Sequence, residues 1–296
     1  MAALELVVDR EQAGRTVKSL LKRELGLSTA LMNRLKRAET GLMVNGVRVF
    51  TNAVLREGDR LAVDLDAAER TSALMPAPME LDVVYEDGHL LVVNKPAPLD
   101  SIPSSLVPGE PSLAAGLLHY LGDGASVHLV NRLDKGTTGL MAAAKNAYVH
   151  DRLRKQLHTA DFRRTYLAVC AGEPEKRAGR IELPIGRAPA SAIKRQIDPD
   201  GKPAATDYRV LGRAGKFSLV ELTPLTGRTH QLRLHMAAIG CPLAGDWLYG
   251  MEDRALIPRP ALHAYRLALT HPVTGERLAL EAPLPEDMRK LLERES

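Results

Sequence analysis

Aromatic side chains make up only 4% of this 296-residue chain, with one Trp among them, and there are only two cysteines. The aromatic scarcity argues against the interleaved stacking platform that single-strand modules of the RRM kind use. Cys170 and Cys241 stand far apart and form no CxxC pair, which argues against a disulfide framework or a zinc site of the usual spacing. Two reduced thiols are expected. No apolar run approaches the ~20 residues that a membrane helix needs. The opening stretch MAALELVVDREQAGR lacks the charged-then-apolar pattern of a signal peptide, so a cytoplasmic protein is expected. Also missing are the GxxxxGK[ST] phosphate loop, the GxSxG nucleophile elbow and the HExxH zinc helix.

What remains is an ordinary globular balance, 45% hydrophobic and 26% charged, with a net charge of +4. That mild excess permits an anionic partner without requiring one. The chain divides into three parts. Residues 1–66 form a small α+β unit, residues 67–79 a linker without clean period, and residues 80–296 the main domain. In the first unit RTVKSLLKREL and STALMNRLKRAE have helical spacing, and Ser28 is placed to cap the second helix. GLMVNGVRVF reads as a hairpin about Asn45-Gly46, and LREGDRLAVDL as a turn and strand. In the main domain VVYED and LLVVNK read as a hairpin about Asp87-Gly88, and AYVHDRLRKQLH as a basic helix. RRTYLAVCAG, KFSLVELTPL and YRLALTHPVTGERLALEAPL read as strands, and QLRLHMAAIG as a helix stopped by Gly240. Strands in hairpin-like pairs predict an α+β fold with a mixed, largely antiparallel central sheet.

Three segments carry candidate chemistry: VNRLDKGTTGLMAAAK at 130–145, RRTYLAVCAG at 163–172 and TGRTHQLRLHMAAIGCPLAGDWLYG at 226–250. By spacing alone the first is as compatible with a structural turn as with a site, since Asp and Gly are common turn residues. His230 and His235 lie five apart, off the i, i+4 face of a zinc helix, so core, capping or contact roles are favoured over metal binding.

Taken together, these blocks resemble the RluA-type RNA pseudouridine synthases. NRLDKGTTGL is similar to the family signature H-R-L-D-x-x-T-[ST]-G-L, with Asn131 in place of the usual His. YEDGHLLVVNKPA, RRTYLAVCAG, PIGR at 184–187, GKPAATDYRVL at 201–211 and the 226–250 block resemble the family's other segments, in its order, over about residues 80–285. The stretch APLDSIPSS after Lys95-Pro96 departs from the usual run. Residues 5–65 resemble an S4 RNA-binding domain.

The resemblance implies an isomerase that turns selected uridines of structured RNA, foremost 23S rRNA, into pseudouridine, with no metal, nucleotide or redox cofactor. It implies that Asp134 is the essential carboxylate, that Arg228 pairs with it, and that Tyr166 stacks on the uracil. Arg132 fills the space left by the flipped base, and Leu232 packs in the pocket wall. RNA contacts are expected from Lys95, from Arg152, Arg154, Lys155, Arg163 and Arg164, and from Arg34, Lys36 and Arg37 of the first unit. A monomer is expected. Two rivals stay open on these grounds: a non-catalytic RNA-binding or ribosome-assembly factor on the same fold, and a hydrolase that releases the base.

Overall fold

The computed structural model describes residues 3–68, 74–104, 107, 109–157, 159–189, 191–253 and 255–293. The first unit runs β1 (Ala3–Val7), α1 (Val17–Arg23), α2 (Thr29–Leu35), β2 (Leu42–Val44), β3 (Val47–Arg48) and β4 (Arg60–Asp64). Its strands form one sheet in the order β1-β4-β2-β3. Ser28 caps α2, its Oγ accepting from the Leu31 amide at 3.3 Å. Asn45 and Gly46 both take positive φ, 50° and 79°, the geometry of a two-residue hairpin turn. Of the expected linker, residues 69–73 lie outside the described residues. Its last part lies on the main domain: Ala77 donates to the Ala115 carbonyl, and Met79 packs on Gly116.

The main domain continues with β5 (Val83–Glu86), β6 (Leu90–Lys95), α3 (Leu113–Leu121), β7 (His128–Leu129), β8 (Thr138–Ala144), α4 (Ala147–Gln156), β9 (Phe162–Ala171) and β10 (Ala178–Glu182). After these come β11 (Ile185–Arg187), β12 (Arg195–Ile197), β13 (Ala205–Ala214), β14 (Phe217–Pro224), α5 (Gln231–Ala238), β15 (Leu262–Thr270), β16 (Arg277–Glu281) and α6 (Glu286–Glu293). The long sheet is ordered β10-β13-β14-β9-β15-β8-β6-β5, with β16 on β15 and β7 on β8. Its pairs are antiparallel except β8 with β15, so the fold is the expected α+β with a largely antiparallel sheet.

Alternation along the central strands divides the interior in two. Leu90 and Val92 of β6, with Leu140, Ala142 and Ala144 of β8, face a core that also holds Val149 and Leu153 of α4 and continues into α1 and α2. Leu91, Val93, Met141 and Ala143 face the other core, with Leu113 and Leu117 of α3 and Leu232 and Met236 of α5. Strand β8 is buried at every position, which is why TGLMAAA shows no alternation and escapes a sequence reading.

Gly139, the second residue of β8, has φ 110°, and a Cβ there would lie 2.3 Å from the Ala264 carbonyl oxygen. The parallel contact with β15 therefore requires glycine at the point where the chain enters the sheet from the 131–138 loop. Gly139→Ala is expected to lower stability by roughly 3 kcal/mol or more. Urea denaturation checks this, and a loss within ~0.5 kcal/mol would contradict it.

Candidate active site

The loop 131–138 between β7 and β8 is held mainly through its backbone. Ser101 Oγ donates to the Leu133 carbonyl at 2.6 Å and accepts from the Leu133 amide at 3.1 Å. The Lys135 carbonyl accepts from the Leu99 amide at 3.0 Å and from Lys95 Nζ at 3.3 Å. Arg259 donates to the Gly136 carbonyl at 3.3 Å and is itself gripped by Asp287 of α6 through two bonds of 2.7 and 2.8 Å. Asn131 is buried and accepts from the Ala142 amide at 2.9 Å, tying the start of the loop to β8.

Lys95 corrects one expectation. It is fully buried, and its ammonium donates to the carbonyls of Pro96, Leu99 and Lys135, so it faces the underside of the loop rather than RNA. Burial pushes its pKa down to about 7, against the opposing pull of Asp100 and Asp134.

Asp134 projects from this loop into a cleft of about 970 Å³, ample for a nucleotide and part of its neighbours. Its side chain is 30% exposed, and Arg233 Nη1 lies 3.6 Å from Oδ2. Arg233 belongs to α5 and is buried. Its Nε and Nη2 donate to the buried Asp246 at 2.7 and 2.6 Å, and its guanidinium sits 5.3 Å from the Tyr249 ring centroid. This bidentate grip fixes where the remaining nitrogen points. His230 Nε2 also approaches Asp134 Oδ2, at 4.0 Å.

The expected pairing of Asp134 with Arg228 is not present. Arg228 is exposed on the cleft wall, and its Nε donates to the Pro203 carbonyl at 3.0 Å. It precedes α5 in a loop anchored by Gln231, whose Oε1 accepts from the Arg228 amide and whose Nε2 donates to the Ala205 carbonyl. Arg233, one and a half turns further on, reaches the carboxylate instead. The sequence did carry a signal for it: an arginine inside the apolar run LRLHM must be paired if the run is buried.

The remaining candidates divide by position. Arg132, Arg154, Arg164, Tyr166 and Leu232 line the cleft with Asp134. Arg163 is exposed and not among the lining residues, because its strand neighbour Arg164 takes the cleft side. Arg152 and Lys155 turn the other way, towards the first unit. Lys155 Nζ donates to the Gly26 carbonyl at 3.1 Å, and the Arg152 guanidinium packs over Gly26. They bind the two units together rather than line the cleft. His158, the end of the expected basic helix, lies outside the described residues. Arg34 lies in the last turn of α2, and Lys36 and Arg37 follow directly. His235 is a satisfied core histidine, bonded to Thr206 Oγ1 and the Leu183 carbonyl. Burial raises the pKa of Tyr166, so its phenol is protonated at neutral pH.

The cleft on this sheet is basic and holds two carboxylates, Asp134 and Asp100, the latter 3.7 Å from Lys135 Nζ. The profile of the RNA pseudouridylate synthase family matches residues 89–238. The chain belongs to that family. It is an enzyme that isomerises uridine in RNA. A Bacillus subtilis protein named uncharacterized RNA pseudouridine synthase YjbO is 41% identical over 276 residues, covering 92% of this chain and 97% of that one. Ribosomal large subunit pseudouridine synthase D of Pseudomonas aeruginosa is 38% identical, covering 85% and 82%. Among solved structures, human RNA pseudouridylate synthase domain containing 1 superposes with a TM-score of 0.58 at 28% identity, over 73% of this chain and 86% of that one. Human domain containing 4 gives 0.58 at 26%, over 72% and 92%.

Replacing Lys95 by Met removes its hydrogen bonds to the carbonyls of Pro96, Leu99 and Lys135, of which the last keeps the Leu99 amide as donor. We expect Lys95→Met to cost about 2–4 kcal/mol at neutral pH. A folded-state pKa of about 7, below the ordinary 10.5, means that the unfolded chain holds the proton to higher pH. Lys95 therefore makes stability rise as pH climbs from about 7 towards 10.5. That part of the rise should vanish in Lys95→Met when urea midpoints are followed against pH.

Proposed function

We propose that this pseudouridine synthase acts on large-subunit ribosomal RNA, and that Asp134 is the carboxylate that works at the ribose of a flipped-out uridine. The observation that carries the reading is the placement of Asp134: a partly exposed carboxylate in a cleft lined by Arg132, Arg154, Arg164 and Arg228, with Arg233 3.6 Å from one oxygen, whereas the other lining carboxylate, Asp100, is paired with Lys135. The reaction breaks the N-glycosidic bond, turns the base and joins C5 to the sugar carbon, after which the C5 proton leaves. Attack at the anomeric carbon and removal of a 2′ proton both require such a carboxylate. Arg233 keeps a fixed positive charge 3.6 Å from it when RNA closes over the cleft and excludes water. Tyr166 supplies a buried face for the uracil, and its raised pKa favours that stacking role over proton abstraction in the free enzyme. The exposed Arg132, two residues from Asp134, is placed to fill the gap in the RNA stack. The choice of ribosomal RNA follows the names of relatives such as the Pseudomonas aeruginosa enzyme.

The first unit supports a second contact surface. Two capped helices on a small sheet, with Arg34, Lys36 and Arg37 at the end of α2, suit an S4-type RNA-binding role. Such contacts hold the RNA backbone without reading sequence.

Purified protein incubated with unmodified ribosomal RNA should form pseudouridine, and Asp134→Asn should bind that RNA yet form none. Turnover by Asp134→Asn would overturn the assignment. Trp247 is the chain's one tryptophan and lines the cleft at 54% exposure, so RNA titration should change the intrinsic tryptophan emission. Unchanged emission at saturating RNA would place the RNA elsewhere. For Lys36→Ala with Arg37→Ala, the plot of log affinity against log salt should flatten by about one to two units, while kcat on saturating RNA holds.

A further inference from the structure

His230 is one of two non-glycine residues with positive φ among the described residues, at φ 58° and ψ 17°. The other, Asn45, sits in a hairpin turn that suits it. A histidine in the left-handed region is held there against its preference. Capping does not explain it, because the His230 side chain makes no cap hydrogen bond to α5 although the residue occupies the N-cap position. The side chain turns into the cleft, between Tyr249 and Asp134.

Hydrogen-bond directions along this line favour one tautomer of the imidazole. The Arg195 amide lies 2.9 Å from the Tyr249 hydroxyl, and a backbone N–H can only donate, so the phenol oxygen accepts there. Among the described residues, His230 Nδ1 at 3.0 Å is the acceptor within reach of the phenol proton. With Nδ1 accepting, the neutral ring carries its proton on Nε2, the nitrogen that faces Asp134 Oδ2 at 4.0 Å. Burial and the cations Arg233 and Arg195 favour the neutral ring, against Asp134 and Asp246.

Asp134 has room for such a donor. The two short bonds of Arg233 go to Asp246, and the contact left for Asp134 is 3.6 Å. Both neighbours approach the same oxygen, Oδ2. We propose that His230 is a positioning residue: its Nε2–H closes onto Oδ2 when RNA fills the cleft, so that Oδ2 is held from two sides and Oδ1 is turned to the ribose. Site hydrogen bonds commonly tighten in this way once substrate is bound. The inference rests on the proposed role of Asp134 and extends it to the orientation of the carboxylate.

Substitution by Asn and by Gln separates orientation from folding. Asn suits the left-handed backbone and sets its amide near the place of Nδ1, short of Asp134. Gln reaches to the place of Nε2. His230→Asn should keep the wild-type melting curve and a KM within about twofold, while kcat falls about tenfold to a hundredfold, the effect of losing one hydrogen bond to a charged group. His230→Gln should recover part of kcat. In 15N-histidine-labelled wild type, the resonances lost in His230→Asn should be those of a neutral ring protonated at Nε2, and Tyr249→Phe should mix the two tautomers. Wild-type kcat in His230→Asn, or a proton on Nδ1 in the wild type, would overturn the inference. If the wild type binds RNA but forms no pseudouridine, the reading of Asp134 has failed, and the spectra still decide the tautomer.

Discussion

The site depends on the way two buried basic side chains hold main-chain oxygen atoms. Lys95 and Arg259 sit under the 131–138 loop and donate to the carbonyls of Lys135 and Gly136, the two residues that follow Asp134. A loop this close to a strand entry has backbone groups that water cannot reach, and each must find a partner. Here the partners are buried donor side chains from distant parts of the chain. Lys95 ends β6, and Arg259 is tied to α6 through Asp287. The carboxylate is thus positioned by groups that never touch it.

Arg233 applies the same logic to the side chain. Its buried pair with Asp246 is no reliable source of stability, since desolvating both ions offsets most of their attraction. What the pair supplies is direction, for a flexible side chain becomes a fixed fork with one nitrogen aimed at Asp134. A charge already oriented before the RNA arrives needs no reorganisation during reaction. The Asp246 carboxylate also accepts the amides of Leu248 and Tyr249, so the turn that carries Trp247 and Tyr249 hangs from the same ion pair.

Much of this was legible in the sequence. The Ser28 cap, the Asn45-Gly46 turn and the paired strands are local signals, and local energies decide them. The ordered blocks pointed to the family and to Asp134, Arg132, Tyr166 and Leu232, all of which the fold brings to one cleft. Three kinds of feature were not legible. Strand β8 and helix α3 are buried on every side or nearly so, and periodicity disappears when both faces are apolar. Lys95 and Arg152 are both basic residues, and charge alone does not tell a buried tether from a surface contact. Arg228 and Arg233 share one motif, and only the turn of α5 decides which of them meets the carboxylate.

Backbone tethering of the Asp134 loop has a consequence for divergence within such enzymes. Carbonyl oxygens are common to every residue type, so the clamps from Lys95 and Arg259 do not depend on which side chains the loop carries. Exposed positions such as 132 and 135 can therefore change without moving the carboxylate between them. Substrate preference can drift at the rim of the cleft while the reacting group stays where it was, and new targets need not be won at the expense of chemistry.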